Sequence, residues 1–188
     1  MKRLFSALVC SLSLAAALAV DVYDRDPDHT FAYFEFNHMG LSTQRDRFDK
    51  VDATATLDLD NQVGSVEVSI DVRSISTGSL LFDQVLLSDK FFDADQFPVI
   101  TFKSNRFSFG KFDDVTAVEG HLTIKGITLP VTLTVTNFKC MMHPIVRKPV
   151  CGLNATGKVR RSDFNLGRFV PLIHDEITIH VSMEALKR

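Results

Sequence analysis

The chain has 188 residues, 45% of them hydrophobic, with 21 Lys and Arg against 23 Asp and Glu and a formal charge of −2. That length suits one domain, or at most two small ones. The slightly acidic balance argues against a nucleic-acid partner, which calls for a basic face.

The first predicted element is a leader. Lys2 and Arg3 make a basic start, Leu4 to Ala16 is an unbroken run of apolar and small residues, and Ala17-Leu18-Ala19 has the small-x-small pattern that a signal peptidase reads. A spanning helix needs about 20 apolar residues; this run is shorter, and Asp21, Asp24, Arg25 and Asp26 follow it. Residues 1–19 are therefore expected to be a cleaved signal peptide, leaving residues 20–188 as one exported domain that begins at Val20. Without Lys2 and Arg3 the basic groups fall to 19 against the same 23 acidic ones, a formal charge of −4. Cys10 belongs to the leader. It lies too early for a lipidation site, and Val9 stands where a small residue is needed.

From Ala32 onward the period is two. Ala32, Phe34, Phe36 and His38 share one face, Tyr33, Glu35 and Asn37 the other. The next rows are Ala53, Ala55, Leu57 and Leu59, then Val66, Val68, Ile70 and Val72, each alternating with polar residues. After a break come "VITFKS" from Val99; Val118, Gly120, Leu122 and Ile124; Val131, Leu133 and Val135; Leu153, Ala155 and Val159; and Ile177, Ile179, Val181 and Met183. Strict alternation marks antiparallel strands with one buried and one wetted face. The count is about eight, enough to close into a barrel or stack as a sandwich. A barrel of this size is either filled by side chains or holds one small ligand. Ala32, Ala53, Ala55, Gly120 and Ala155 on the inner rows favour a cavity.

The break is Thr77 to Phe97. Leu81, Phe82, Val85 and Leu86 fall at helical spacing, and Ser88 is placed to cap a second short turn through Phe92. "FFDADQFPVITF", residues 91–102, then leads into a strand, with Pro98 at a start where its missing N–H is harmless. The sheet pattern alone does not use Phe91, Phe92 and Phe97. Two readings stay open: an apolar plug on one end of the core, or a lid beside a cavity.

Cys140 and Cys151 flank "MMHPIVRKPV", which reads as an exposed loop. In an exported protein an isolated pair forms a disulfide; the rival reading is a metal or redox site, with His143 nearby. The remaining histidines are scattered, His121 and His180 on outer faces and His38 on an inner row. No HExxH, G-x-S-x-G or phosphate loop occurs, so no catalytic residue and no metal ligand is assigned. "RRSDF", with Arg160, Arg161 and Asp163, is either a salt-bridged strand end or a polar anchor for a ligand headgroup.

In order along the chain, "DHTFAYFEFNHMGLSTQRDRF", "FFDADQFPVITFKS", "VEGHLTIKGITLPVTLTV", "CGLNATGKVRRSDFNLG" and "DEITIHVSMEA" together resemble the YceI-like family of lipocalin-like periplasmic proteins. The resemblance implies an all-β fold, an eight-stranded antiparallel lipocalin-like barrel with a short helical insertion near residues 79–92, closed around a long apolar tunnel. It implies a polyisoprenoid ligand, such as an isoprenoid quinone or polyprenyl lipid, or another long-chain amphiphile, bound, transported or stored in the periplasm. No cofactor beyond such a lipid is implied. The tunnel wall would comprise Phe34, Phe36, His38, Val68, Ile70, Phe91, Phe92, Phe102, Leu122, Ile124, Leu133 and Ile179, with Arg161 as headgroup anchor. The partners expected are the lipid, transient contact with a membrane or membrane protein, and a second copy of the chain as a homodimer. The alternative function is an accessory subunit or enzyme working with a membrane electron-transfer protein. Two departures stand out. Phe82 and Val85 replace the Arg and His that many members carry in the insertion, and Asp46 stands where Gly is usual.

Overall fold

The computed structural model describes residues 20–112 and 114–188; the expected signal peptide lies outside them. Eleven strands form one antiparallel sheet: β1 (Asp21–Arg25), β2 (Phe31–His38), β3 (Ser42–Phe48), β4 (Val51–Asp58), β5 (Val63–Asp71), β6 (Ile75–Ser76), β7 (Val99–Phe109), β8 (Val115–Ile124), β9 (Ile127–Met142), β10 (Pro149–Arg160) and β11 (Glu176–Lys187). Their order in the sheet is β1-β4-β5-β7-β8-β9-β10-β11-β2-β3-β6, and β1 also pairs with β11.

Eleven strands reduce to eight rods because three rods are bent. β1 and β2 are halves of one rod, β3 and β4 of the next, β5 and β6 of the third. β1 pairs with β4 while β2 pairs with β3, and β4 pairs with β5 while β3 pairs with β6. The bends are hydrogen-bonded to their neighbours. The Thr30 hydroxyl donates to the Glu184 carbonyl (3.0 Å), the Asp49 amide to the Ser74 carbonyl, and the Lys50 amide to the Ser74 hydroxyl. A 3-10 turn at Val72–Ser74 bends the third rod, capped by Asp71. The result is a closed eight-stranded up-and-down barrel, which leaves no long exposed edge.

The alternating rows supply the core. Val66, Ile70 and Val72 are buried, as are Ala53, Leu57, Phe102, Val118, Leu122, Val131, Ala155 and Met183. Lys125 and Gly126, at φ 49° and 74°, make the two-residue hairpin between β8 and β9, where two positive φ values match the strand twist. The polar sequence of β3 conceals a strand, because its inner face carries Gln44 and Asp46 before reaching Phe48.

α1 (Leu80–Leu87) is the helical insertion, and its N-cap is Ser79, whose hydroxyl accepts from the Phe82 amide. Ser88 corrects the expected second cap: its hydroxyl donates to the Val85 carbonyl (2.6 Å) and closes α1. The loop behind it folds back on itself, with the Asp93 amide donating to the Ser88 carbonyl and the Ala94 amide to the Leu87 carbonyl. Phe82 and Leu86 face the barrel, while Leu81 and Val85 are exposed.

Cys140 and Cys151 are disulfide-bonded, with Cα atoms 4.1 Å apart, and stand directly opposite each other on β9 and β10. Much of the expected loop is strand: β9 runs through Met142 and β10 starts at Pro149. The bond therefore staples two neighbouring rods rather than tethering a long loop. Replacing both cysteines with serine is expected to lower unfolding free energy by about 2–3 kcal/mol in the chain-entropy model, measured by urea melts of oxidised wild type and variant; equal midpoints would refute it.

Candidate functional site: two apolar cavities along the barrel axis

Among the described residues, two cavities of about 140 and 160 Å³ lie inside the barrel. They share Ala32, Ile70, Leu122 and Ile179 as wall, so they abut end to end. The strands confirm the direction. Along β10, Cys151, Leu153 and Ala155 line the first cavity and Val159 the second; along β11, Ile177 lines the second, Ile179 both, and Val181, Met183 and Ala185 the first. The first cavity thus lies toward the disulfide and the second toward the insertion.

The first cavity owes its room to small side chains. Ala53, Ala55, Gly152, Ala155 and Ala185 stand among Val68, Phe102, Leu133 and Phe138. Gly120 does not contribute as expected: a Cβ there would meet the Phe102 ring and the Lys103 carbonyl at 2.5 Å, so a phenylalanine fills that space. At the lip near the disulfide, Asp26, His29 and Glu184 come together. Asp26 accepts a hydrogen bond from His29 at 3.0 Å, which raises the imidazole pKa.

The second cavity is aromatic. Phe34 stacks near Phe36 (6.3 Å between centroids) and meets Phe48 at 5.7 Å and Phe92 at 6.4 Å, and Phe48 meets Phe92 edge-on at 5.8 Å. Phe91 lines the same wall and faces Phe169 at 6.4 Å. Phe97 packs instead against the turn at Gly126. The phenylalanine-rich segment is thus both cap and wall: two rings finish the cavity and the third braces a hairpin.

Of the residues expected to form a tunnel wall, Phe34, Phe36, Phe91, Phe92 and Ile124 line the second cavity, Val68, Phe102 and Leu133 the first, and Ile70, Leu122 and Ile179 both. His38 lines neither; it ends β2 and forms a bridge with Ile173. The inner row has run past the barrel by that point. Sequence reasoning missed Tyr23 and Phe48, which sit on strands too short or too polar to show alternation, Phe31, which the alternation of β2 assigns to the outer face, and Phe107 and Phe138, which lie beyond the predicted strand limits.

Arg161 is buried at the end of the second cavity. Its Nε donates to the His174 carbonyl (2.9 Å), Nη1 to the carbonyls of Leu166 and Arg168, and Nη2 to the Ile173 carbonyl (2.9 Å). A guanidinium has five N–H groups, so most are spent on the loop that follows β10. Burial lowers its pKa, and Asp175 partly opposes the shift. Asp175 itself is held by the amide and hydroxyl of Ser162 (2.9 and 2.6 Å). The "RRSDF" cluster is therefore a loop organiser, with neither of the two arrangements expected of it fully realised.

Asp46 is the polar surprise. It pairs with Phe34 and so shares the inner face with Phe34, Phe36 and Phe48. It is buried, and its Oδ2 has no hydrogen-bond partner among the described residues. Burial, with the charge of Asp83 adding to it, pushes its pKa up to about 6.

A family model described as YceI-like domain matches residues 23–185. Protein YceI of Salmonella agona is 30% identical over 185 residues, covering 98% of this chain and 95% of that protein. Among solved structures, BcnA of Burkholderia cenocepacia superposes with a TM-score of 0.72 at 24% identity, over 86% of this chain and 99% of its own. A polyisoprenoid binding domain from Saccharophagus degradans, implicated in plant cell wall breakdown, superposes with a TM-score of 0.62 at 13% identity, over 88% and 98%.

Proposed function

This chain belongs to the YceI-like domain family, and from that premise we propose that it is a non-catalytic periplasmic carrier or store for a polyisoprenoid, such as an isoprenoid quinone or polyprenyl lipid, held along the barrel axis. One observation carries the reading: two apolar cavities abut end to end and share Ala32, Ile70, Leu122 and Ile179. A long thin apolar molecule suits that shape. Each methylene taken from water contributes about 0.8 kcal/mol, so a chain of several isoprene units binds without a charged contact. The Saccharophagus degradans domain, described as polyisoprenoid-binding, supports the ligand class. The disulfide fits an oxidising compartment. Leu80, Leu81 and Val85 lie exposed on α1 beside the second cavity, which supports transient contact with a membrane during exchange.

The test is extraction. Protein purified from the periplasm of its host is treated with organic solvent, and the extract is identified by mass spectrometry; delipidated protein is then offered a long-chain isoprenoid quinone. A stoichiometric polyisoprenoid in the extract, or saturable uptake of the quinone, is expected. An empty extract together with no uptake overturns the carrier reading.

A further inference from the structure

We propose that Asp46 is a proton-operated latch on the helical insertion: protonated, it lets α1 seat over the second cavity, and ionised, it repels Asp83 and loosens the helix. The inference rests on reading that cavity as the binding site, and its geometry is independent of any ligand.

The latch stands where the insertion leaves the barrel. β3 pairs with β6 through Arg47 with Ser76 and Phe48 with Ile75. One step further in that register, Asp46 lies opposite Thr77. The amide of Thr77 donates to Asp83 Oδ1 at 2.9 Å, so Asp83 reaches back from the first turn of α1 to the strand next to Asp46. Between them Gly78, at φ 81°, is the joint from which α1 departs. Two carboxylates therefore converge on one hinge, and one of them is buried with an oxygen that no described residue satisfies.

Among the described residues, the cations nearest in sequence are engaged elsewhere. Arg45 and Arg47, on either side of Asp46, turn to the outer face, where Arg45 holds Glu35 at 2.6 Å and Arg47 holds Asp49 at 2.7 Å. β2 presents Phe34 across the pair, β6 presents uncharged Ile75 and Ser76, and in the loop after α1 Asp95 is held by Arg73 at 2.5 Å. Asp83 is the charged group that adds to the effect of burial on Asp46. An ionised carboxylate buried without a partner is costly, whereas a protonated one is neutral and has an O–H to donate.

A carboxyl whose pKa is raised in the seated state, to about 6, binds its proton more tightly there than when α1 lifts and water reaches it. The seated state is then favoured at low pH, and that advantage is lost as pH rises from about 4 to about 6. Above this window the helix keeps the apolar contacts of Phe82 and Leu86, and the loop after it keeps the hold of Arg73 on Asp95, without the contribution of the Asp46 proton.

Amide hydrogen exchange of delipidated protein from pH 4 to 7.5, corrected for intrinsic rates, tests the latch. The opening constant of the segment from Ser79 to Phe97 is expected to rise by up to about 100-fold across the window, while β9 and β10 do not follow. In Asp46→Asn the rise should vanish. A wild type without the rise, a rise that persists in Asp46→Asn, or an equal rise across the whole barrel overturns the proposal. Carboxyl carbon NMR of wild-type Asp46 needs no variant: a midpoint near 6 is expected, and an ordinary carboxylate midpoint near 4 overturns the latch. Quinone uptake by the same sample separates the two readings. The rise without uptake keeps the latch and ends the carrier reading, and uptake without the rise does the reverse.

Discussion

Arg161→Met is expected to lower unfolding free energy by about 3–5 kcal/mol, because it strips donors from several carbonyls at once and each buried unsatisfied group costs about 1–3 kcal/mol. The carbonyls are those of Leu166, Arg168, Ile173 and His174. Methionine keeps much of the stem's volume, so the loss reports hydrogen bonds rather than a hole. Reaching water recovers part of each bond, which keeps the total below the simple sum. In a domain of this size the melting temperature should fall by about 10 °C. Thermal melts with urea titration measure it. A loss below about 1 kcal/mol would mean that the loop holds itself, and would return Arg161 to the role of a free cation for a ligand headgroup.

The second large effect is on loading. Ala55→Phe is expected to empty the first cavity of ligand while the barrel stays folded. Ala55 lines that cavity on β4, between Val66 on β5 and Tyr23 on β1, with Ala53 next on the same face. A benzyl group placed there enters existing space. Displacing even two methylenes of a chain costs about 1.6 kcal/mol, enough for about tenfold in affinity. In a solid core the same change would cost about 1–3 kcal/mol of stability through overpacking. Extractable lipid per mole of protein and the urea midpoint are measured for both proteins. A variant that keeps its full lipid, or one that is strongly destabilised, sinks the reading of an open bore.

The barrel was legible in the sequence wherever one face of a strand is apolar and the other wet. β5 shows it well: Val66 and Ile70 are buried, and Glu67 and Ser69 are exposed. β3 was not legible, because it keeps Ser42, Gln44 and Asp46 on the inner face and shows no alternation. β1 is only five residues long, too short for a period to register. The wall of the second cavity was partly legible because Phe91 and Phe92 had no place in a sheet pattern and so had to go elsewhere. His38 misled because period two says which face a residue takes, not where along the strand the barrel ends. The role of Arg161 was hidden, since its partners are backbone carbonyls, which every sequence contains. Asp46 was visible only as a departure from the family pattern; that it is buried against a helix carrying a second carboxylate depends on a crossing between distant segments.

The closed ring of eight rods has a kinetic meaning. Seven of its junctions join rods adjacent in the chain, and the eighth joins the first rod to the last, through Tyr23 with Lys187 at one end and Phe34 with Ile179 at the other. Local hairpins form early and cheaply in entropy, while the terminal seam must gather nearly the whole chain and is the slow, non-local step. Ala32 and Ile179 flank that seam and also line both cavities. The enclosed space is complete only when that seam closes. Once inside, an apolar chain touches both sides of the last junction made, and it guards the junction whose opening would undo the ring.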